Sequence, residues 1–314
     1  AAVLIPAEDG DTTDTLREKY YASIDGEAFG GKAGETVKVR DGLYSLELWH
    51  GPTCAFKDMA LQMLPHLLTA SLRKTGETRT ACILVATSGD TGKAALDGFH
   101  DVPGTKIMVY YPVDGVSPMQ KLQMVTQEGR NVEVVAIRGN FDDAQSAVKR
   151  IFTDEDTRAA LDKDGMMLSS ANSINWGRLA PQIAYYVSAY CDMVAAGTIA
   201  QGDKINVCVP TGNFGNILAA YIAKKMGLPV NKFICASNRN NVLTDFFKKG
   251  GEYNRNRDFF TTTSPSMDIL ISSNLERLLF FASDFSDKLV AELMGKLNTE
   301  GSYKVAEDVF AKIE

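Results

Sequence analysis

Lys57 lies in the run Gly51-Pro52-Thr53-Cys54-Ala55-Phe56-Lys57-Asp58, where a turn gives way to a helical pattern. A helix start carries the positive end of the macrodipole, which disfavours a charged amine and favours the neutral, nucleophilic form. That form is what Schiff-base chemistry with a carbonyl compound requires. The other reading is an ordinary surface lysine, although the Gly-Pro turn, Ala55 and Phe56 give it unusually apolar company.

Two glycine-bearing loops follow short apolar runs and open helical patterns. Thr211-Gly212-Asn213-Phe214-Gly215-Asn216 follows Ile205–Val209. Free N–H groups at such a helix start, with glycines that let backbone approach closely, can cradle a phosphate. A tight turn with no ligand fits the spacing equally well. Thr87-Ser88-Gly89-Asp90-Thr91-Gly92 follows Cys82–Ala86 and looks at first like a nucleotide-binding loop, because Gly92-Lys93 is present. The match fails at Thr87, where a glycine belongs, and at Ala94, where a magnesium-binding hydroxyl belongs. The sequence also lacks G-x-G-x-x-G, so nucleotide hydrolysis and dinucleotide binding both lose ground. What remains is a set of hydroxyls and amides suited to a small carboxylate or phosphate.

Asn172, Asn175 and Arg178 cluster after a strand-like run, at a helix start; they read either as caps with a surface arginine or as part of a site. His50, His66 and His100 form no metal-ligand spacing, and no nucleophile elbow is present. Cys54, Cys82, Cys191, Cys208 and Cys235 show no C-x-x-C pairing, which reads as reduced thiols in a cytoplasmic protein with no bound metal.

These loops need a scaffold, and strand–helix alternation supplies one. Strands are expected at Leu43–Leu48, Cys82–Ala86, Lys106–Tyr111, Val132–Ile137, Met166–Ser170, Ile205–Val209 and Lys232–Ser237. Helices are expected at Thr13–Ile24, Phe56–Lys74, from the end of the Thr87–Gly92 loop through Phe99, at Pro118–Glu128 and Phe141–Phe152, from a lead-in at Ser173–Arg178 to Cys191, and at Ile217–Met226. Leu61, Leu64, Leu68 and Leu72 form one stripe of the second of these helices, which Pro65 is expected to kink. Repeated βαβ units imply an α/β protein with mainly parallel sheets covered by helices, and functional loops at the carboxyl ends of the strands.

The 314 residues suit two domains sharing a cleft, and a content of 45% hydrophobic and 23% charged residues suits a soluble globular chain. A net charge of −6 argues against nucleic-acid or anionic-membrane binding, so an anionic ligand needs a focused local site. No apolar run reaches membrane-span length, and Ala1–Ile5 is too short for a signal-peptide core.

Taken together, Leu48–Asp58, Thr87–Gly92, Ser169–Trp176 and Gly212–Asn216 closely resemble, in order, the lysine segment and loops of threonine synthases. The resemblance runs from about residue 18 to 300 and is specific only as a set. It implies the fold type II architecture of pyridoxal-phosphate enzymes. Residues 1–80 and 171–314 would form a large cofactor domain, and 81–170 a smaller substrate-loop domain. It implies a lyase that converts O-phospho-L-homoserine and water to L-threonine and phosphate, with that small-molecule substrate as its partner and no nucleic acid or membrane. By position, Lys57 would form the internal aldimine with pyridoxal 5'-phosphate, and Gly212, Asn213, Phe214, Gly215 and Asn216 would cradle the cofactor phosphate. Thr87, Ser88, Asp90 and Thr91 would line the substrate site, with Thr87, Ser88 and Thr91 holding its carboxylate. Asn172, Asn175 and Arg178 would serve the substrate phosphate or the cofactor ring.

Asp90 departs from the broader fold type, where asparagine commonly faces the phenolic oxygen of the cofactor. Two anions cannot share that place cheaply. Asp90 is therefore expected either to turn away and cap the following helix through Thr91 or Gly92, or to leave that oxygen to Asn172 or Asn175. Alternatives to the synthase are another fold type II lyase, such as a serine/threonine dehydratase, and a silent homologue that only binds a phosphorylated amino acid. The resemblance also implies family segments before Ala1 and after Glu314, without which this chain is expected to be a weak catalyst.

Overall fold

A computed structural model of the chain describes Phe29 and residues 34–87, 89–139 and 141–313. The helix expected at Thr13–Ile24 lies outside the described residues. The chain divides into two compact units, the first running to Ala196 and the second beginning at Gly197.

The first unit is built on a four-stranded parallel sheet. Its strands are β3 (Thr80–Ala86), β4 (Thr105–Pro112), β5 (Val132–Ile137) and β6 (Met166–Ser170), in the order β5-β4-β3-β6. Strands β3 and β4 alternate or run apolar because helices cover the sheet. On one face lie α1 (Asp58–Lys74) and α2 (Asp90–Phe99), whose Leu61, Leu64, Leu96 and Phe99 pack with Ile83, Val85, Ile107 and Val109. A second cluster joins Leu84 and Ala86 to Ala144 and Val148 of α4 (Phe141–Thr153). Helix α3 (Pro118–Val125) is shorter than expected and has Ser117 as its N-cap. The sheet occupies the stretch assigned above to a substrate-loop domain. The compact unit around it is larger, because α1 packs on both α2 and α6 (Trp176–Ala195).

Two elements of this unit were not expected. The antiparallel hairpin of β1 (Glu35–Arg40) and β2 (Leu43–Glu47) starts before Leu43, in a stretch too polar to announce a strand. Helix α5 (Glu155–Lys163) buries no residue, so it carries no apolar stripe to read. Its signal is instead the cap, in which Asp154 accepts the Thr157 N–H at 2.7 Å.

Pro65 does not end α1, which continues from Asp58 to Lys74. Proline offers no N–H to the carbonyl of Leu61. Gly98 of α2 lies directly over that carbonyl, and a Cβ at residue 98 would overlap its oxygen. The close approach sets α1 against α2, and the starts of these helices carry Lys57 and Asp90.

The second unit holds a parallel pair, β7 (Ile205–Pro210) and β8 (Val230–Ala236), with α7 (Gly215–Lys225) between them in sequence. There follow α8 (Val242–Lys248), β9 (Glu252–Asn254), a 3-10 turn at Pro265–Met267, α9 (Leu275–Ala282), α10 (Asp287–Thr299), β10 (Ser302–Lys304) and α11 (Glu307–Phe310). β9 and β10 pair antiparallel, and Tyr253 stacks on Tyr303 with ring centroids 5.3 Å apart. Among the described residues no helix is long and apolar enough to cross a membrane.

Candidate active site

Asp58 builds the turn that delivers Lys57. Its buried carboxylate accepts the Thr53 N–H at 2.9 Å, the Ala55 N–H at 3.4 Å and the Thr53 hydroxyl at 2.5 Å. Burial raises its pKa against the opposing pull of these bonds from Thr53 and Ala55. Gly51 is required by the same packing, since a Cβ there would come within 2.5 Å of the carboxylate. Cys54 adopts a left-handed φ of 57°, and Lys57 then stands at the N-cap of α1.

Lys57 is buried, with its Nζ 4.5 Å from the centroid of the Phe56 ring. The same nitrogen donates to Asp90 Oδ2 at 2.5 Å. Asp90 makes the expected contact with Thr91 through one oxygen, Oδ1 accepting the Thr91 N–H at 2.9 Å, and keeps the other on the lysine. Burial opposes the carboxylate's charge. The positive charge of Lys57, the Lys57 and Thr91 bonds and the charge of Arg178 together outweigh it, and hold the Asp90 carboxyl below the usual range.

The Thr87 hydroxyl organises the loop around this pair. Its oxygen accepts the N–H groups of Gly89 and Gly92, each at 2.9 Å. Ser88 falls outside the described residues. Gly89 lies beneath the Gln120 amide at φ 147°, a conformation that favours glycine. A cavity of about 510 Å³ opens beside the loop, with Trp49, Cys54, Phe56, Asp90, Met119 and Gln120 among its walls.

Asn172 bridges strand ends: its Nδ2 donates to the Ala86 carbonyl at 2.9 Å and its Oδ1 accepts the Ala86 N–H at 3.3 Å. Asn175 caps α6 by accepting the Gly177 N–H at 2.9 Å, and its amide donates to Ser170 O at 2.8 Å. Both amides are thus engaged with backbone. Arg178 is 4% exposed, and Nη1 donates to Ala171 O at 2.6 Å. Its buried Nε has no hydrogen-bond partner among the described residues. Burial pushes the guanidinium down to about 10, with the charges of Asp90 and Tyr185 opposing that shift.

In the second unit the Gly212–Asn216 loop joins β7 to α7. Phe214 takes a left-handed φ of 62° and is itself buried, 6.3 Å from Phe247 between ring centroids. Among the described residues no side chain caps α7. A Cβ on Gly212 would lie 3.1 Å from Ser266 O and 3.0 Å from Ile269 Cδ1. A Cβ on Gly215 would lie 3.4 Å from Asn274 Nδ2. Buried Ser272 and Asn274 also hold the loop, donating to the carbonyls of Gly212 and Asn213. Sequence reasoning missed these two and Asp58. Asp58 had a signal, an acidic residue in the first turn of a helix behind a Gly-Pro turn. Ser272 and Asn274 had none, since their partners lie 60 and 61 residues away.

The family model described as pyridoxal-phosphate dependent enzyme matches residues 33–293. Threonine synthase-like 1 of Homo sapiens is 46% identical over 277 residues, covering 86% of this chain and 37% of that protein. The crystal structure of pyridoxal-phosphate-bound threonine synthase from Brucella melitensis superposes with a TM-score of 0.81 at 40% identity, covering 96% of this chain and 64% of that one. Threonine synthase from Escherichia coli gives a TM-score of 0.72 at 32% identity, covering 99% of this chain and 71% of that one. The chain thus spans 37% of the human relative's length and 64% of the Brucella chain.

Proposed function

The chain belongs to the pyridoxal-phosphate-dependent enzymes and, within them, to the threonine synthase family; on that premise we propose that it converts O-phospho-L-homoserine and water to L-threonine and phosphate. The observation that carries this reading is the charge set of the first unit. Lys57 and Arg178 are buried and both act on the carboxylate of Asp90, while the Asp58 carboxylate is taken up by the Thr53 and Ala55 groups of its own turn. A buried guanidinium with an unpartnered Nε is costly unless an anion completes it, and a phosphate or carboxylate does so with charge-assisted bonds. The net-negative chain thus concentrates positive charge where an anionic substrate needs it.

The residues also fit the cofactor. Lys57 offers the amine that would hold it covalently. Gly212 lets the 212–216 loop pack directly on residues 266–269, where a Cβ would press on Ser266 O, and the loop leads into an uncapped helix start suited to a phosphate monoester. Pyridoxal phosphate, when bound, supplies an electron sink for negative charge developing on substrate carbons.

The chain's own residues do the rest. Lys57 Nζ carries protons to and from the substrate's Cα and Cβ. Asp90 fixes the direction of that nitrogen through its 2.5 Å bond. Arg178 holds the phosphate of the substrate in the ground state and as it departs. Thr87 and Thr91 keep the substrate loop in shape around the carboxylate.

Two measurements test the reading. Borohydride reduction of the loaded protein followed by peptide mapping places the adduct on Lys57; an adduct on another lysine removes the proposed catalyst. Incubation with O-phosphohomoserine releases phosphate and threonine in equal amounts. Ketoacid formation from serine or threonine instead identifies a dehydratase.

A further inference from the structure

We infer that Ser272 and Asn274 are positioning residues that aim the backbone amides of Asn213 and Phe214 at a phosphate monoester. The inference rests on the reading of the 212–216 loop as the cofactor-phosphate cradle and adds residues far from it in sequence. A trans peptide is planar, so the carbonyl of one residue and the N–H of the next point in opposite directions. Whatever fixes the carbonyl of Gly212 therefore fixes the N–H of Asn213. Whatever fixes the carbonyl of Asn213 fixes the N–H of Phe214.

Both carbonyls are fixed from the same segment. Ser272 Oγ donates to Gly212 O at 2.7 Å. Asn213 O receives two bonds from Asn274, from Nδ2 at 3.0 Å and from the backbone N–H at 3.0 Å. The two carbonyls are drawn to the 272–274 side, and the two amides are turned to the other. Successive N–H groups around a left-handed residue form a concave anion nest, and Phe214 at φ 62° is that residue. A non-glycine residue in that region costs on the order of 1 kcal/mol. The tethers on either side hold it there.

The tethers are themselves rigid. Arg277 Nη1 donates to Asn274 Oδ1 at 2.8 Å, which leaves the amide nitrogen to face Asn213. The Ser272 N–H donates to Tyr253 Oη at 2.8 Å, and the Tyr253 hydroxyl donates to Leu270 O at 2.9 Å. Ser272 is 6% exposed and Asn274 1%, so water cannot substitute for either donor without repacking. The consequence is selective. The tethers act on the two peptide groups whose amides are assigned to the phosphate.

The test compares pyridoxal phosphate with pyridoxal, the same ring and aldehyde without the phosphate, by the absorbance change on attachment to the full chain. The variants are Ser272→Ala, Ser272→Thr and Asn274→Ala. Loss of one buried tether weakens pyridoxal phosphate binding about tenfold. Pyridoxal binding stays within about twofold of wild type, and Ser272→Thr, which keeps the hydroxyl, restores phosphate binding. If the alanine variants lose both ligands in parallel while wild type still prefers pyridoxal phosphate, the tethers only support the fold and the inference is overturned. If wild type shows no preference for the phosphorylated ligand, the loop is a plain turn and both readings fall.

Discussion

The side chains of Lys57 and Asp90 meet at 2.5 Å across 33 residues of sequence, each at the start of its own helix. Helix starts repel cations and favour anions. Asp90 is thus helped by α2, and Lys57, hindered by α1, is held by Asp90. Both side chains are mostly buried, with 11% and 22% exposure, so water screens the pair weakly. Asp90→Asn is expected to keep the shape of the loop but lose the charge-assisted bond, lowering stability at neutral pH by about 2 kcal/mol.

The same variant separates the acid behaviour of the pair. The Asp90 carboxyl is held below its ordinary value of 3.8, so the unfolded chain binds that proton more readily than the folded one. Its stabilisation is complete above the ordinary value and is lost as pH falls through the lower folded value. Asp58 behaves oppositely, because burial raises its carboxyl; what it contributes is present at low pH and lost as pH rises through its folded value. Urea midpoints measured across the acid range should fall more steeply in wild type than in Asp90→Asn. Parallel curves would mean that the pair carries no net linkage.

Arg178→Ala is expected to lower kcat/KM for O-phosphohomoserine by about a hundredfold or more while leaving cofactor attachment in place. Arg178→Lys should recover little, because an ammonium cannot reproduce the planar fork of donors. Steady-state kinetics beside absorbance titration decide this. A variant with normal kcat/KM would reduce Arg178 to its bond with Ala171 O.

Much of this was legible because the chemistry-bearing residues sit at strand ends and helix starts, which apolar runs and glycines mark. The strands Val132–Ile137 and Met166–Ser170 were read to the residue. The pairing of Lys57 with Asp90 was not legible: each residue was read as belonging to its own loop, and only the packing of α1 on α2 brings the loops together. Asn172 and Asn175, whose amides read as ligand donors, also serve the backbone. In the fold each donates to a carbonyl at the end of a strand, Ala86 O of β3 and Ser170 O of β6. Sequence cannot separate these uses, since the same donors serve both.

Gly98 tests the packing that creates the pair. Any Cβ there would overlap the Leu61 carbonyl oxygen, and backbone cannot yield as a side-chain tip can. Gly98→Ala should destabilise by about 2 kcal/mol, more than the gain alanine gives in an exposed helix. A thermal melt measures it. A stabilised variant would show that α2 can slide on α1 without cost.

The two glycines of the 212–216 loop should differ from each other. A Cβ at Gly212 would press on Ser266 O at 3.1 Å, Ile269 Cδ1 at 3.0 Å and Met267 Cα at 3.3 Å, two of them backbone atoms. A Cβ at Gly215 would meet only the Asn274 amide, at 3.4 and 3.9 Å, which is ordinary contact. Neither glycine is among the residues with positive φ, so the difference is one of space and not of backbone strain. Gly212→Ala must push the loop off the 266–269 wall and disturb the cradle, whereas Gly215→Ala needs no movement of backbone. The first variant should lose about tenfold or more in pyridoxal phosphate affinity and the second about threefold or less, since only close overpacking shifts neighbouring backbone. Gly215→Val should fall between them, because its branched chain reaches the Asn274 amide and loosens one tether. Titration of the three proteins gives the order directly. Equal losses at the two alanine positions would mean that the cradle is shaped by helix α7 itself and not by its contact with residues 266–269.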